Sequence, residues 1–523
     1  MRALVFHGYL LNGTGSNVYN ASLAQALVAR GHEVHLLCQD RGALELPWVD
    51  ALGRFDGATL EVEARREPVR CTAYLPDIGR LLPVYVVDEY DGFDAKPFTE
   101  LTDDELSAYT DANVAAVRTV VARVAPDAAL ANHEVMGPAI LARALGGEVP
   151  YAVKVHGSAL EYTVQVDPER FVPLVREGLA PAAGVLVGSR HSAERLWEVV
   201  GDADLRRKTR LGPPGVDTAT FRPAEPSEAA ERLEALAGRL DRAATAAWGG
   251  ETGAAAALRA LDPECDRIIS FVGKLIVSKG IDLLVAAWPL VVHAVPEARL
   301  CIVGFGTFRP GVERLLAALG DGDLDGVREV ALAGRELEGG PREPLRHLLA
   351  FLDGLDPERA AAYVATAPGA AARVHLTGRL DHEDLPALLA ATEAQVVPST
   401  FPEAFGMVAV EAAACGALPV AADHSGLAEV SAALAPALDA AVRPLLAFRV
   451  GPGAVEDLAA KLVSWLRLEP SVRARASLAL AAEARARYDW ARVADGVLAA
   501  ARGQLDELAQ PAPSGDAGVL PTG

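Results

Sequence analysis

The strongest constraint on this chain is a rhythm in its sequence. A short apolar run, a glycine-bearing loop and a stretch at helical spacing follow one another repeatedly along both halves. Ala3–Phe6 leads into a Gly-rich loop, then Leu23, Ala26 and Leu27 at helical spacing, then Gly31 and a second run at Glu33–Leu37. That succession predicts a βαβ unit. Further strand candidates follow at Pro83–Val87, Ala128–Ala131, Ala152–Val155 and Gly184–Val187. Strands this apolar need cover on both faces, which predicts a mostly parallel sheet with helices on each side. A second series starts at Ile268–Val272 and continues through Leu300–Val303, Val374–Leu376, Ala394–Val397 and Leu418–Ala421. At roughly 100–200 residues per domain, the chain has room for both series as separate α/β domains.

The spacing of these series predicts the domain limits. The first domain is expected over 1–223 and the second over 267–488. Between them, 224–266 turns rich in Ala, Glu and Arg, with Leu233, Leu236 and Leu240 at helical spacing, and reads as a helical insertion or linker. The stretch 308–373 is too long for an ordinary βα connection and reads as a second helical insertion. A helical run continues from Val472 to Leu508, with 489–508 expected to pack back on the first domain. The Pro/Gly/Ser-rich tail 509–523 is expected to be disordered.

Composition narrows the function. Hydrophobic residues make up 51% and charged residues 23%, which supplies full cores and excludes disorder for most of the chain. Asp and Glu number 70 against 49 Lys and Arg, for a net charge of −21. That field opposes nucleic acid and anionic lipid at long range, so no nucleic-acid partner is expected, and peripheral membrane contact is not indicated. Any phosphate must be gripped locally. Five scattered cysteines without C-x-x-C spacing argue against a zinc site or a disulfide framework and fit a reducing compartment. Met1–Gly8 reads as a first strand rather than a signal peptide, and the most apolar stretches are interrupted by charge and proline, so a soluble cytoplasmic protein is expected.

The richest segment is 398–412, where Glu403 and Glu411 lie eight positions apart. Ala394–Val397 is the strand, Phe401–Phe405 the loop, and the run from Gly406 opens a helix. The free N–H groups and dipole of a helix opening suit a diphosphate, and Gly406 lets that backbone come close. Glu403 lies at the strand's carboxyl end, where open α/β sheets place ligands, and Glu411 is placed to accept bonds from ribose hydroxyls. Either carboxylate alone would pass as a solvated residue; together at this junction they point to a ligand.

Lys274 and Lys279 follow the first strand of the second series, five positions apart, and two such cations can flank a leaving diphosphate. Neither Asn12–Asn17 nor Gly304–Arg309 completes a dinucleotide fingerprint, and Gly273-Lys274 is followed by Leu275, which excludes a phosphate-binding P-loop. In the first half, His156 and Gly157 end a strand; a histidine there is either a structural hydrogen-bonder or a ligand to a hydroxyl. Asn132-His133-Glu134 ends another strand and is a weaker candidate for an acceptor pocket. Asp202-Ala203-Asp204 and Asp321-Gly322-Asp323 have metal-binding spacing, yet neither follows a strand, and both read as solvated loops; no metal is expected.

Taken in order, these motifs resemble the retaining GT-B glycosyltransferases of family four. Glu403 and Glu411 match that family's Glu-x7-Glu motif, and Lys274 to Lys279 its Gly-Arg…Lys-Gly segment, with Lys replacing Arg at 274. Asn12–Asn17 resembles its Gly-rich loop, His156-Gly157 its His-Gly element, and Gly215-Val216-Asp217 with Phe221 and Pro223 a turn ending the first domain. The resemblance implies two Rossmann-like domains facing an inter-domain cleft. It implies transfer of a sugar from a nucleoside-diphosphate sugar to a small-molecule, glycan or lipid-linked acceptor with retention at the anomeric carbon and no cofactor.

On this reading Lys274, Lys279 and the opening Ala404, Phe405, Gly406 and Met407 hold the diphosphate, and Glu411 the ribose. Glu403 holds sugar hydroxyls, and His156 contacts the reacting sugar. Gly13, Thr14 and Gly15 approach the donor, Leu380 meets the base through its backbone, and Asn132 with His133 line the acceptor side. A same-face substitution is expected, in which the leaving phosphate helps the acceptor lose its proton. An epimerase, a phosphorylase or a non-catalytic nucleotide-sugar-binding partner on the same scaffold are the alternatives.

Overall fold

A computed structural model of the chain describes residues 1–13, 15–85, 92–246 and 253–511. Its internal contacts divide it into two units, Met1–Gly215 with Tyr488–Gly523, and Val216–Arg487.

The first unit is built on a nine-stranded sheet. Its strands are β1 (Arg2–Phe6), β2 (Glu33–Leu37), β3 (Ala51–Asp56), β4 (Thr59–Ala64) and β5 (Cys71–Leu75), and, beyond the small pair β6 (Leu81–Val84) and β7 (Asp94–Pro97), β8 (Ala128–Asn132), β9 (Tyr151–Lys154), β10 (Gly184–Val187) and β11 (Thr209–Leu211). The order is β11-β10-β9-β8-β1-β2-β5-β3-β4, parallel throughout except for the antiparallel β3–β4 pair. β1 is central, and its side chains alternate between two cores as the pleat requires. Leu4 and Phe6 join Val117, Val120 and Ile140 on one face, while Ala3 and Val5 join Leu23, Leu27, Val493 and Val497 on the other. Each of the Val, Leu, Ile and Phe side chains among these contributes about 1.5–3 kcal/mol by leaving water. The helix Trp490–Ala501 therefore covers the second face, with Trp490 edge-on to Tyr19 at 5.3 Å.

Two readings need correction here. Pro83–Val87 is not a strand of the main sheet: β6 ends at Val84 and pairs only with β7, and Val86–Val87 lie outside the described residues. Conversely, β3, β4 and β5 were not expected. β4 alternates polar and apolar residues at the sheet's edge, with its side chains half-buried or exposed, so it offers no apolar run to find. The tail from residue 512 lies outside the described residues as well.

The second unit carries β12 (Arg267–Val272), β13 (Ala298–Val303), β14 (Val374–Gly378), β15 (Ala394–Val397), β16 (Leu418–Ala422) and β17 (Ala447–Phe448). They are all parallel in the order β14-β13-β12-β15-β16-β17. This is a doubly wound sheet whose connections reverse direction between β12 and β15, the point at which such sheets open a ligand crevice. Residues 216–223, expected with the first domain, belong here: the Phe221 ring packs 5.2 Å from that of His382. The described residues of both insertions are mainly helical. Pro226–Ala246 buries Leu233 and Leu236 and ion-pairs through Arg239 with Asp384, and 308–373 supplies helices of which Pro357–Ala371 hydrogen-bonds Tyr363 Oη to the Ala286 carbonyl at 2.8 Å. The run 472–508 breaks at Asp489, whose carboxylate caps the helix from Trp490.

Candidate active site

In the second unit the loops after β12 and β15 flank the switch point. The first holds Lys274, exposed, and Lys279, half-buried. Its path demands glycine at two contacts. A Cβ on Gly280 (φ +66°) would stand 2.0 Å from the Pro398 carbonyl oxygen, and one on Gly304 would stand 2.1 Å from the Gly273 carbonyl oxygen. Gly304 and Gly306 are thus where one loop lies on another, which gives this Gly-x-Gly a packing reason.

Glu403 is the hub of the β15 loop. Its carboxylate pairs with Lys279 and accepts from Ser399 Oγ at 2.6 Å. Its backbone N–H donates to Ser425 Oγ at 2.9 Å, and its carbonyl accepts from Gly426 N at 3.0 Å. His424 completes the frame, donating from Nε2 to the Ser399 carbonyl at 2.8 Å. Burial works to raise the Glu403 pKa, but Lys279 and the Ser399 hydroxyl outweigh it and hold the carboxyl below its ordinary value. Lys279 is expected at the diphosphate and Glu403 at the sugar as separate tasks; the structure joins them in one half-buried ion pair.

The helix Met407–Ala414 opens at Gly406 (φ +123°) without a side-chain cap, leaving its first turn open to an anion. Ala404 is half-buried and Phe405 buried at this opening. Glu411, 3% exposed, accepts from His382 Nε2 at 2.7 Å. Burial works to lower the His382 pKa; Glu411, with Asp217 adding to it, outweighs this and raises it. Leu380, on the loop after β14, is buried. His382, His424, Ser399 and Ser425 were not singled out from sequence as site residues. Their signal is positional, since all lie within a few residues of the carboxyl ends of β14, β15 and β16.

In the first unit the ends of β1, β8 and β9 gather a buried polar cluster. His156 Nε2 donates to Asn132 Oδ1 at 2.9 Å, and Asn132 Nδ2 donates to the Phe6 carbonyl at 3.2 Å. His7 Nε2 donates to Asn17 Oδ1 at 2.9 Å, and its Nδ1 accepts from Asn20 at 3.0 Å. His133 (φ +64°) lies between the rings of Tyr85, at 4.3 Å, and His156, at 4.8 Å, with neither ring nitrogen partnered. Glu134 accepts from Gly157 N at 3.4 Å, and Lys154 donates to the Gly212 carbonyl at 2.6 Å. Burial pushes Glu134 up to about 7 and Lys154 down to about 7, takes His7 down to about 4, and holds His133 and His156 well below the usual histidine value. His133 is sealed among aromatic rings, and Asn132 bonds both His156 and the Phe6 carbonyl. Gly13 (φ +91°) and Gly15 have open space where a Cβ would be, and Thr14 lies outside the described residues. Asp202 and Asp323 are helix caps, accepting from Asp204 N and Gly326 N.

Comparison with known proteins places this geometry. A model described as glycosyl transferases group 1 matches residues 354–483, and a glycosyl transferase 4-like domain matches residues 14–215. Two curated relatives are named D-inositol 3-phosphate glycosyltransferase. That of Xylanimonas cellulosilytica is 27% identical over 425 residues, 80% of this chain and 77% of the relative. That of Segniliparus rotundus is 29% identical over 344 residues, 65% of this chain, and the match spans only 56% of the relative's length. Among solved structures, Anabaena HepE in complex with UDP and glucose superposes with a TM-score of 0.53 at 17% identity, over 95% of this chain and 98% of that one. A glycosyl transferase domain is thus matched on each unit, and the two-domain α/β fold is the GT-B fold of the glycosyltransferase structures it resembles.

Proposed function

We propose that this protein moves a sugar from a nucleoside-diphosphate sugar to a hydroxyl-bearing acceptor with retention at the anomeric carbon. The observation that carries the reading is the Lys279–Glu403 pair at the β12/β15 switch point, beside the uncapped opening of the helix Met407–Ala414. Lys274, Lys279 and the N–H groups at Gly406 and Met407 supply positive charge to the departing diphosphate. Glu403, held ionised, accepts from sugar hydroxyls, and Glu411 from the ribose. The backbone near Leu380 meets the base. His156 contacts the sugar being moved, and Gly13, Thr14 and Gly15 bring small backbone to the donor. The bond from the anomeric carbon to the phosphate oxygen breaks, the bond to the acceptor oxygen forms on the same face, and the acceptor's proton passes to the leaving diphosphate. No resident cofactor enters this scheme.

The UDP and glucose of the HepE complex support a nucleotide-sugar donor, and the name shared by the two curated relatives makes an inositol phosphate the first acceptor to try. Among the described residues no helix is long and apolar enough to cross a membrane; we place the protein in the cytoplasm, where such donors are made. The test is product analysis with a panel of nucleotide sugars and polyol acceptors. An axial or equatorial product bond matching the donor's supports the reading, and the opposite anomer refutes retention. Conversion of the donor with no acceptor present, or only with free phosphate, would favour the epimerase or phosphorylase reading instead.

A further inference from the structure

The amide of Asn132 determines which nitrogen of His156 carries the proton. Asn132 Nδ2 faces the Phe6 carbonyl at 3.2 Å, and a carbonyl only accepts. Turning the amide over would set oxygen against oxygen, so its Oδ1 must face His156 Nε2, at 2.9 Å. Nε2 therefore holds the hydrogen, and in the neutral ring Nδ1 holds the lone pair. Two aromatic neighbours flank the ring and keep it from turning: Tyr19 edge-on at 5.0 Å and His133, tilted, at 4.8 Å. Nδ1 takes no partner among the described residues, and His156 is half-buried, whereas both nitrogens of His133 are buried without a partner.

The charged and titratable groups around the ring are His133, Lys154, His7 and, through Gly157, Glu134. Burial first, and then the neighbouring basic groups, disfavour imidazolium, so the neutral ring is the working form. A neutral imidazole with Nδ1 bare accepts a hydrogen bond and donates none there. It reads a hydroxyl, which has a proton to give, and rejects an ether, carbonyl or phosphate oxygen in the same position.

We propose that Asn132 is a positioning residue that locks His156 as its Nε2–H tautomer and so presents Nδ1 as the acceptor for one hydroxyl of the substrate. The tautomer is a property of the first unit alone; its use on a sugar hydroxyl rests on the transferase reading.

The experiment is nitrogen-15 NMR of the full chain labelled at histidine, at pH 7.5, with the His156 signals assigned as those lost in His156→Gln. The wild type is expected to show a single Nε2–H tautomer at His156, and Asn132→Ala a mixture of the two. With donor and acceptor supplied, Asn132→Ala is expected to lose turnover by roughly 10-fold while its affinity for the nucleoside diphosphate stays within about 2-fold, since that ligand is assigned to the second unit. A wild-type ring protonated at Nδ1, or a mixture in the wild type, overturns the proposal and needs no variant to fold. A variant that keeps both the single tautomer and wild-type turnover overturns it too. A single Nε2–H tautomer in a chain that transfers no sugar would uphold the role of Asn132 while refuting the transferase reading.

Discussion

His382 Nε2 lies 2.7 Å from Glu411 Oε1, tying the loop after β14 to the helix that opens behind β15. This contact links the strand-end loop given to the base with the carboxylate given to the ribose. The folded His382 pKa is raised, so its stabilising contribution is full below the ordinary value of 6.5 and is lost as pH rises through the raised one. His382→Gln is therefore expected to destabilise the second unit at pH 6 and to be close to neutral at pH 9. The size is about 1 kcal/mol, since the histidine side chain is 40% exposed and solvent screens the pair. Urea unfolding at the two pH values checks this, and an equal loss at both would show that the contact is not ionic.

The Lys279–Glu403 pair separates binding from chemistry. Lys279→Ala leaves the half-buried carboxylate without its cation; with both side chains partly exposed, the loss is about 1 kcal/mol. Weaker nucleoside-diphosphate binding and a lower melting temperature are both expected. Glu403→Gln keeps the size and the Ser399 contact, so turnover should fall about 10-fold or more with the fold intact. Kinetics and calorimetry on the two variants check this split. The folded Glu403 pKa is depressed, so its stabilisation is present above the ordinary carboxylate value and lost as pH falls through the folded one.

Glu134 carries the opposite sign. With its pKa pushed up to about 7, the folded state holds a proton that the unfolded chain releases near 4.5, so stability falls as pH rises from 4.5 to 7 and is level above that. Glu134→Gln mimics the protonated acid and should gain on the wild type with rising pH, being more stable by about 1 kcal/mol or more at pH 8 and level near pH 5. Thermal melts across that range decide it, and a gain that is the same at both ends would contradict the burial argument.

Gly280 tests the crossing of the two loops at the switch point. Gly280→Ala puts a Cβ 2.0 Å from the Pro398 oxygen in a left-handed conformation, and the loop must shift. We expect a loss of about 2 kcal/mol or more together with weaker donor binding. Wild-type stability in this variant would mean that the loops do not meet as described.

Much of this was legible in the sequence, for physical reasons. Strands covered on both faces, such as β1, β8 and β12, are apolar runs and announce themselves; β4, on an edge, does not. The Glu403 to Glu411 segment was readable because a strand, a loop and a helix opening follow one another within it. What stayed hidden are partnerships between distant positions. His382 and Glu411 are 29 residues apart, Asn132 and His156 are 24, and Lys279 and Glu403 are 124. Nothing local marks which buried polar group will meet which. The Phe221–His382 contact likewise assigns 216–223 to the second unit although the turn before it reads as the end of the first sheet.

The central claim is that the second unit holds a nucleoside diphosphate at the β12/β15 switch point. Calorimetric titration of the full chain with UDP, GDP, ADP and TDP tests it most directly, alongside Lys274→Ala and Glu411→Gln, with NAD and NADP as controls. The account predicts that one diphosphate binds the wild type and binds each variant at least about 10-fold more weakly, a loss of about 1.4 kcal/mol. Equal affinity in the wild type and both variants, or binding of NAD or NADP alone, would contradict it.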